Sequence, residues 1–264
     1  MEGWYAGNLL HFKIQPIFKM NRIDPDPSGL KTLEIFSKAR RFNRWLFRSF
    51  SSYCRGNVLE IGSGTGNISK WLLETGNAVT LSDLREEYCK RLQERFSDLA
   101  TLQDVLQLDL ADPEFDKKNP RLMDQFDTVV GLNVVEHIED DRQVIKNAAK
   151  MLRYEGRLII LLPAHQSLYN RFDKSLGHFR RYTRGQLVKL LEEEGLDLIT
   201  SKYFNAAGIA GWWFYGSLLN REIIPAYSLR IFDLLVPIFK VADLILLRKI
   251  GLSVVAIAEK KALV

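Results

Sequence analysis

The chain has 264 residues, 47% apolar and 26% charged, with a formal net charge of +5. That length accommodates one substantial α/β domain with an insertion, and the composition excludes a disordered or fibrous chain. The charge is uneven, since residues 1–56 hold ten Lys and Arg against four Asp and Glu, whereas the remainder holds 27 against 28. A nucleic-acid site would need a basic stripe beside the active site, so no nucleic-acid partner is expected. Cys54 and Cys89 show neither metal nor redox spacing, and the N-terminus lacks the basic, apolar and small-residue pattern of a signal peptide. A reducing, cytoplasmic setting is the expectation.

Residues 1–30 mix aromatics with Pro16, Pro25 and Pro27 and have no clear period. Residues 31–50 predict a helix with Ile35, Ala39, Phe42 and Leu46 in an apolar stripe and Lys38, Arg41, Arg44 and Arg48 elsewhere on its circumference. Such a helix either packs on the domain with a solvated basic face or meets a membrane surface or an anionic substrate. The segment 1–56 is therefore expected to be a helical lid or extension on a domain covering 57–264.

Val58, Leu59 and Ile61 then read as a strand covered on both faces. Gly62, Gly64 and Gly66 follow as a tight turn, and Ile68, Trp71 and Leu72 resume at helical spacing. Further strands are expected at 78–81, ending on Ser82 and Asp83, at 99–106, at 126–132, at 157–162, at 196–203 and at 253–258. Helices fall between them, with 140–152 after the fourth strand and a capping box from Thr183 to Gln186 opening another that stops at Gly195. Residues 111–125, with two prolines, predict a loop. The alternation predicts a doubly wound, parallel α/β sheet.

An aromatic-rich insertion occupies 204–250. Its apolar part, 206–219, is too short to span a bilayer, and Arg230, Asp233, Lys240 and Asp243 interrupt the apolar residues beyond it. Trp212, Trp213, Phe214 and Tyr215 could roof a hydrophobic pocket, touch lipid or simply pack the insertion onto the sheet.

The glycine turn decides the ligand. A dinucleotide fingerprint requires G-x-G-x-x-G, and Gly62 and Gly64 are followed by Asn67 where the third glycine belongs. Glu60 instead precedes G-x-G-x-G, and a carboxylate there disfavours a pyrophosphate and suits a sulfonium nucleoside.

The stretch V-L-E-I-G-S-G-T-G-N from Val58 resembles the first motif of class I S-adenosylmethionine-dependent methyltransferases. Asp83, at the end of the second strand, matches the acidic residue that binds both ribose hydroxyls in that family. Asp109 and Leu110 match the position beside adenine, and F-D-T-V-V-G-L-N-V-V-E-H-I-E-D from Phe126 resembles the fourth-strand motif. The resemblance implies a Rossmann-like, seven-stranded, mostly parallel sheet with an antiparallel last strand. It also implies S-adenosyl-L-methionine as methyl donor, held by Glu60, Gly62, Ser63, Gly64, Asp83, Leu84, Asp109, Leu110 and Asn133. Some quinone- and RNA-modifying relatives carry E-x-x-E-H at the fourth strand and bind a divalent metal. The first position here is Asn133, so no metal is expected.

Past the fifth strand, P-A-H from Pro163 and G-H-F-R-R-Y-T from Gly177 resemble stretches in a bacterial methyltransferase subgroup. His165, Asp173, His178 and Tyr182 are the candidates for general base or substrate orientation; fixing the loop by hydrogen bonds is the alternative for His178 and Arg180. The expected activity is methyl transfer to a small-molecule or lipid-linked metabolite. The alternatives are a nicotinamide-dependent oxidoreductase, or a non-catalytic peripheral membrane or adaptor protein touching lipid through 31–50 or 206–219.

Overall fold

A computed structural model describes residues 27–261, so the first 26 residues of the N-terminal segment lie outside it. Seven strands form one sheet: β1 (Asn57–Ile61), β2 (Ala78–Asp83), β3 (Leu102–Gln107), β4 (Phe126–Leu132), β5 (Leu152–Pro163), β6 (Leu196–Phe204) and β7 (Ser253–Lys260). Their order is β3-β2-β1-β4-β5-β7-β6. All pairs are parallel except those of β7, which runs antiparallel to both β5 and β6. The expected seven-stranded Rossmann-like sheet is therefore the one observed.

Successive residues of the central strands enter opposite cores, which is why the strands read as continuous apolar runs rather than alternating ones. Leu59, Val129 and Leu158 join one core with α6 (Asp141–Met151) and α8 (Arg184–Glu193), contributed through Val144, Ile145 and Leu187. Val58, Val130 and Ile159 join the other, which includes Leu72 from α3 (Ser69–Leu73) and Leu92 from α4 (Glu86–Phe96).

Three expectations need correction. The helix read over 31–50 is two helices, α1 (Pro27–Ser37) and α2 (Arg40–Arg48), separated at a non-helical Ala39. The corner buries Ala39 and is closed by Asn43 Nδ2 donating to the Phe36 carbonyl at 2.9 Å. Asp233 also accepts the Phe42 N–H at 2.8 Å, satisfying a donor in the first turn of α2. The supposed loop 111–125 contains α5 (Phe115–Lys118) and a 3-10 turn, and it delivers Phe115 and Leu122 to the core. Strand β5 begins five residues before the expected start, because a register shift between Phe126 and Thr128 of β4 accommodates the extra residues.

The insertion between β6 and β7 consists of α9 (Ala207–Trp212), a π-helical stretch Trp213–Leu218 and the long α10 (Ala226–Ile245). α2 and α10 cover the same sheet face, through Trp45, Leu46 and Val236. Among the described residues no helix is long and apolar enough to cross a membrane. The end of α10 is tied to the end of β6 by Asp243, whose buried carboxylate accepts the Asn205 and Ala206 N–H groups, each at 2.8 Å.

Asp243→Ala leaves two backbone donors without this acceptor. It is expected to lower unfolding stability by about 1–3 kcal/mol in urea denaturation. Hydrogen exchange should accelerate at residues 205 and 206.

Candidate active site

The carboxyl ends of β1, β2 and β4 meet at the glycine turn. Gly62, Gly64 and Gly66 all have positive φ, between 55° and 80°. A side chain at Gly62 would strike Val134 of the turn after β4, its Cβ lying 2.3 Å from Val134 Cγ2, so the two turns pack without room for a methyl group. Asp83 closes the turn from the β2 side. Its Oδ2 accepts the Gly64 N–H at 2.9 Å and its Oδ1 accepts the Arg85 N–H at 3.0 Å. Burial raises the Asp83 carboxyl above its ordinary value, against these two N–H groups, which favour the anion.

Glu60 lies beneath the same turn and is turned inward. Its carboxylate accepts the Ser69 hydroxyl, while its carbonyl accepts the Ser63 and Ser82 hydroxyls at 3.3 and 3.0 Å. Burial pushes the Glu60 carboxyl up to about 7, against the hydroxyl bonds and with help from the Asp83 charge. The side chain thus faces the base of the turn and α3. Leu110 is buried, whereas Leu84 and Asn133 are exposed beside the turn, and Asn133 adopts φ +54° with its N–H on the Leu161 carbonyl. Asp109 Oδ1 accepts the Ala111 N–H at 3.0 Å.

α1 lies over the opening of the turn. Asn67 Nδ2 donates to the Leu33 carbonyl at 2.9 Å, and a Cβ at Gly64 would sit 3.0 Å from Leu33 Cδ1.

A second group of buried charges is built from the turn after β4 and the loop after β5. Asp173, in the short helix α7 (Arg171–Ser175), is fully buried. Its Oδ1 pairs with His178 Nδ1 at 2.8 Å and accepts Arg181 Nε at 2.9 Å, and its Oδ2 accepts the Asn170 N–H at 2.9 Å. Burial pushes this carboxyl up, but His178, Arg181 and Asn170 together hold it below its usual range. Arg181 also donates to the Ala164 carbonyl at 3.0 Å and lies 4.6 Å from the ring centre of Trp212. Trp212 in turn packs on Phe172 at 5.0 Å. Of the aromatic run in the insertion, Trp212 covers the cluster while Trp213 and Phe214 face outward.

Glu136 completes the group. It is fully buried, and neither carboxylate oxygen makes a hydrogen bond among the described residues. Its Oε1 lies 4.0 Å from His178 Nε2, and burial pushes its carboxyl up to about 7 against the pull of His178 and Arg181. His137 packs edge-on against His178 at 4.6 Å, and burial, with His178 as neighbour, depresses it to about 3. Glu136, His137 and His178 each offer an atom within 4.8 Å of the others, a set chemically able to hold a proton or a cation. The Phe179 N–H to Glu136 carbonyl bond, 2.8 Å, pins the loop after β5 to the turn after β4.

Of the four candidate bases, Asp173 and His178 are in direct contact. His165 sits apart, at φ +62° and stacked on Tyr203 at 4.7 Å, with its imidazole depressed by burial and Arg181. Tyr182 points away from the cluster. Its hydroxyl donates to Asp141 at 2.9 Å, and burial with that carboxylate raises its pKa. Arg180 is likewise spent on Asp141 and the Glu139 carbonyl. The sequence reading missed Arg181 and Leu33, and Glu136 entered it only within the incomplete E-x-x-E-H pattern that begins at Asn133. Adjacent arginines in G-H-F-R-R-Y-T carry no signal of which one is buried.

Residues 59–158 match the family model described as a methyltransferase domain. The methyltransferase GfsG of Streptomyces halstedii is 28% identical over 137 residues, covering 52% of this chain and 47% of that protein. The phosphatidylethanolamine N-methyltransferase of Cereibacter sphaeroides is 26% identical over 172 residues, or 55% of this chain and 81% of that one. The match thus spans about half the length of GfsG. The crystal structure of a SAM-dependent methyltransferase from Archaeoglobus fulgidus superposes with a TM-score of 0.55 at 19% identity, covering 84% of this chain and 94% of that chain, a likeness of fold. The glycine turn closed by an acidic residue from the neighbouring strand and the seven-stranded order are those of the class I S-adenosylmethionine-dependent methyltransferase fold, and residues 59–158 match a methyltransferase domain.

Proposed function

We propose that the protein transfers a methyl group from S-adenosylmethionine to an oxygen, nitrogen or carbon of a small-molecule or lipid-linked acceptor. The observation that carries this reading is Asp83, a carboxylate at the end of β2 held against the glycine turn by the Gly64 N–H. Each carboxylate oxygen retains a lone pair, and a ribose diol offers two adjacent donors. The turn has no third dinucleotide glycine, because Asn67 stands there and is engaged with Leu33. That supports the sulfonium donor over a nicotinamide cofactor.

When bound, the donor supplies an already activated methyl group, so the chain's residues mainly position and exclude water. In this reading Gly62, Ser63 and Gly64 admit the amino-acid moiety close to the backbone, and Asp83 with Leu84 takes the ribose. Asp109 and Leu110 flank the adenine, and Asn133 lies beside the methionine portion. Glu60 acts from below by fixing α3 to the turn through Ser69. In the same reading α1, bonded at Leu33 by Asn67, serves as the lid over the glycine turn, and Trp212 from the insertion covers Arg181.

The acceptor's proton is assigned to His178. Asp173 fixes its Nδ1 side, which leaves Nε2 facing Glu136 Oε1 at 4.0 Å. A lipid-linked acceptor draws support from the phosphatidylethanolamine-methylating relative, and peripheral contact with a membrane in the cytoplasm belongs to the same reading. The identifying experiment incubates the protein with cell extract and isotopically labelled S-adenosylmethionine, followed by mass identification of the labelled product. Labelled product in the lipid fraction supports the lipid-linked reading, and no labelled product contradicts the enzyme.

Asp83→Ala is expected to weaken S-adenosylmethionine binding by at least about 100-fold in calorimetric titration, the loss of two charge-assisted bonds of about 1.5–3 kcal/mol each. His178→Asn should cut methyl incorporation at least about 100-fold while leaving S-adenosylmethionine affinity within about twofold. The raised Glu60 value, from an ordinary 4.5 to about 7, means that the folded state disfavours the anion. Its stability penalty is absent below pH 4.5, grows as pH rises toward 7 and is complete above it, amounting to at most about 3 kcal/mol. Glu60→Gln should therefore raise Tm relative to wild type at pH 8 and do so less at pH 5, and an equal effect at both would contradict the assignment.

A further inference from the structure

We propose that the outward face of α10 docks on an anionic lipid bilayer, with the flanking cations of α2 against the headgroups. It rests on the lipid-linked part of the proposed function and not on the identity of the methyl donor. α10 is apolar around most of its circumference. Leu229 and Val236 face the protein, as expected of a packed helix. On the opposite side Tyr227, Ile231, Leu234, Ile238, Val241 and Ile245 recur at intervals of four and three, forming a stripe in which every side chain is between 54% and 74% exposed. An uninterrupted apolar stripe of five turns goes well beyond the isolated exposed apolar residues of an ordinary surface.

The charges around the stripe identify its occupant. Residues 226–250 contain Arg230, Lys240, Arg248 and Lys249 against Asp233 and Asp243. Both carboxylates are turned inward, Asp233 onto the Phe42 N–H and Asp243 onto Asn205 and Ala206. α2 adds its cations along one side. Arg41 donates to the Leu234 carbonyl at 3.2 Å, and burial together with Arg48 and Arg44 depresses Lys240. Among the described residues no carboxylate pairs with Arg44, Arg48 or Lys240.

A second copy seated symmetrically on this stripe would bring the same cations face to face, which opposes association. An anionic bilayer complements both parts at once, since acyl chains take the stripe and headgroups take the cations. Trp213 and Phe214 add exposed aromatics of the kind that favour the membrane interface, and Ser228 Oγ donating to Tyr215 at 2.6 Å ties their π-helical stretch to α10. The charges within α10 make it a helix that lies on the bilayer rather than one that crosses it.

The test is vesicle flotation of the full chain, with phosphatidylcholine vesicles and with vesicles that also contain phosphatidylglycerol. Wild type should float with the anionic vesicles and not with phosphatidylcholine alone, and added salt should weaken the binding. Leu234→Asp combined with Ile238→Asp should reduce anionic-vesicle binding at least about tenfold, and Arg44→Glu combined with Lys240→Glu should abolish the lipid preference. Calorimetric titration with S-adenosylmethionine on the same samples reports folding and the methyl-donor reading separately. Wild type that stays unbound to anionic vesicles overturns the proposal, as does stripe-variant binding equal to wild type. Sedimentation velocity showing a wild-type dimer that the stripe substitutions dissociate would overturn it in favour of a second copy.

Discussion

The hydrogen bond from the Gly64 N–H to Asp83 joins two strands, a turn and a site. It fixes the glycine turn at the end of β1 to the acidic end of β2. The turn itself can form only because Gly62, Gly64 and Gly66 reach positive φ, and because Gly62 leaves room for Val134 from the turn after β4. Glu60 secures the underside through Ser69, so α3 starts where the turn ends. Three strand ends are thereby held at one point, the position at which open α/β sheets bind ligands. A carboxylate held in this geometry costs desolvation, visible in the upward shift of Asp83. That cost is consistent with a site whose ligand supplies hydroxyl donors.

The second charged group has a different construction. Asp173, His178, Arg181 and Glu136 are all buried, and three of them come from a single loop between β5 and α8. Asp173 is fully engaged by its partners, whereas Glu136 has no hydrogen bond among the described residues. Buried carboxylates without partners oppose folding by more than a surface position would. Glu136 bears that cost in the turn after β4, where no hydrogen bond among the described residues offsets it. Trp212 covers this group from the insertion side, which joins the insertion to the loop after β5.

Much of the sheet was readable because its strands are covered on both faces and so leave mostly apolar, non-alternating runs at 58–61, 126–132 and 157–162. Asp83 was readable because it closes the second strand after Leu81 and Ser82, and Asp109 because it follows the third expected strand at Leu108. The features that escaped the sequence depended on tertiary contacts. The corner at Ala39 has no glycine or proline to mark it, and it exists because Asn43 caps Phe36. The loop at 111–125 looked polar, yet Phe115 and Leu122 enter the core. Tyr182 and His165 carry the right chemistry for a base, but Asp141 and Tyr203 draw them away. Arg181 is indistinguishable from Arg180 until one is seen buried against Asp173 and the other held by Asp141.

The central claim is that the glycine turn and Asp83 select a sulfonium nucleoside rather than a dinucleotide. Calorimetric titration of the wild-type chain with S-adenosylmethionine and, separately, with NAD tests it most directly. Saturable one-to-one binding of S-adenosylmethionine with no heat from NAD is the expected result. Binding of NAD, or no binding of S-adenosylmethionine by the folded protein, would contradict it.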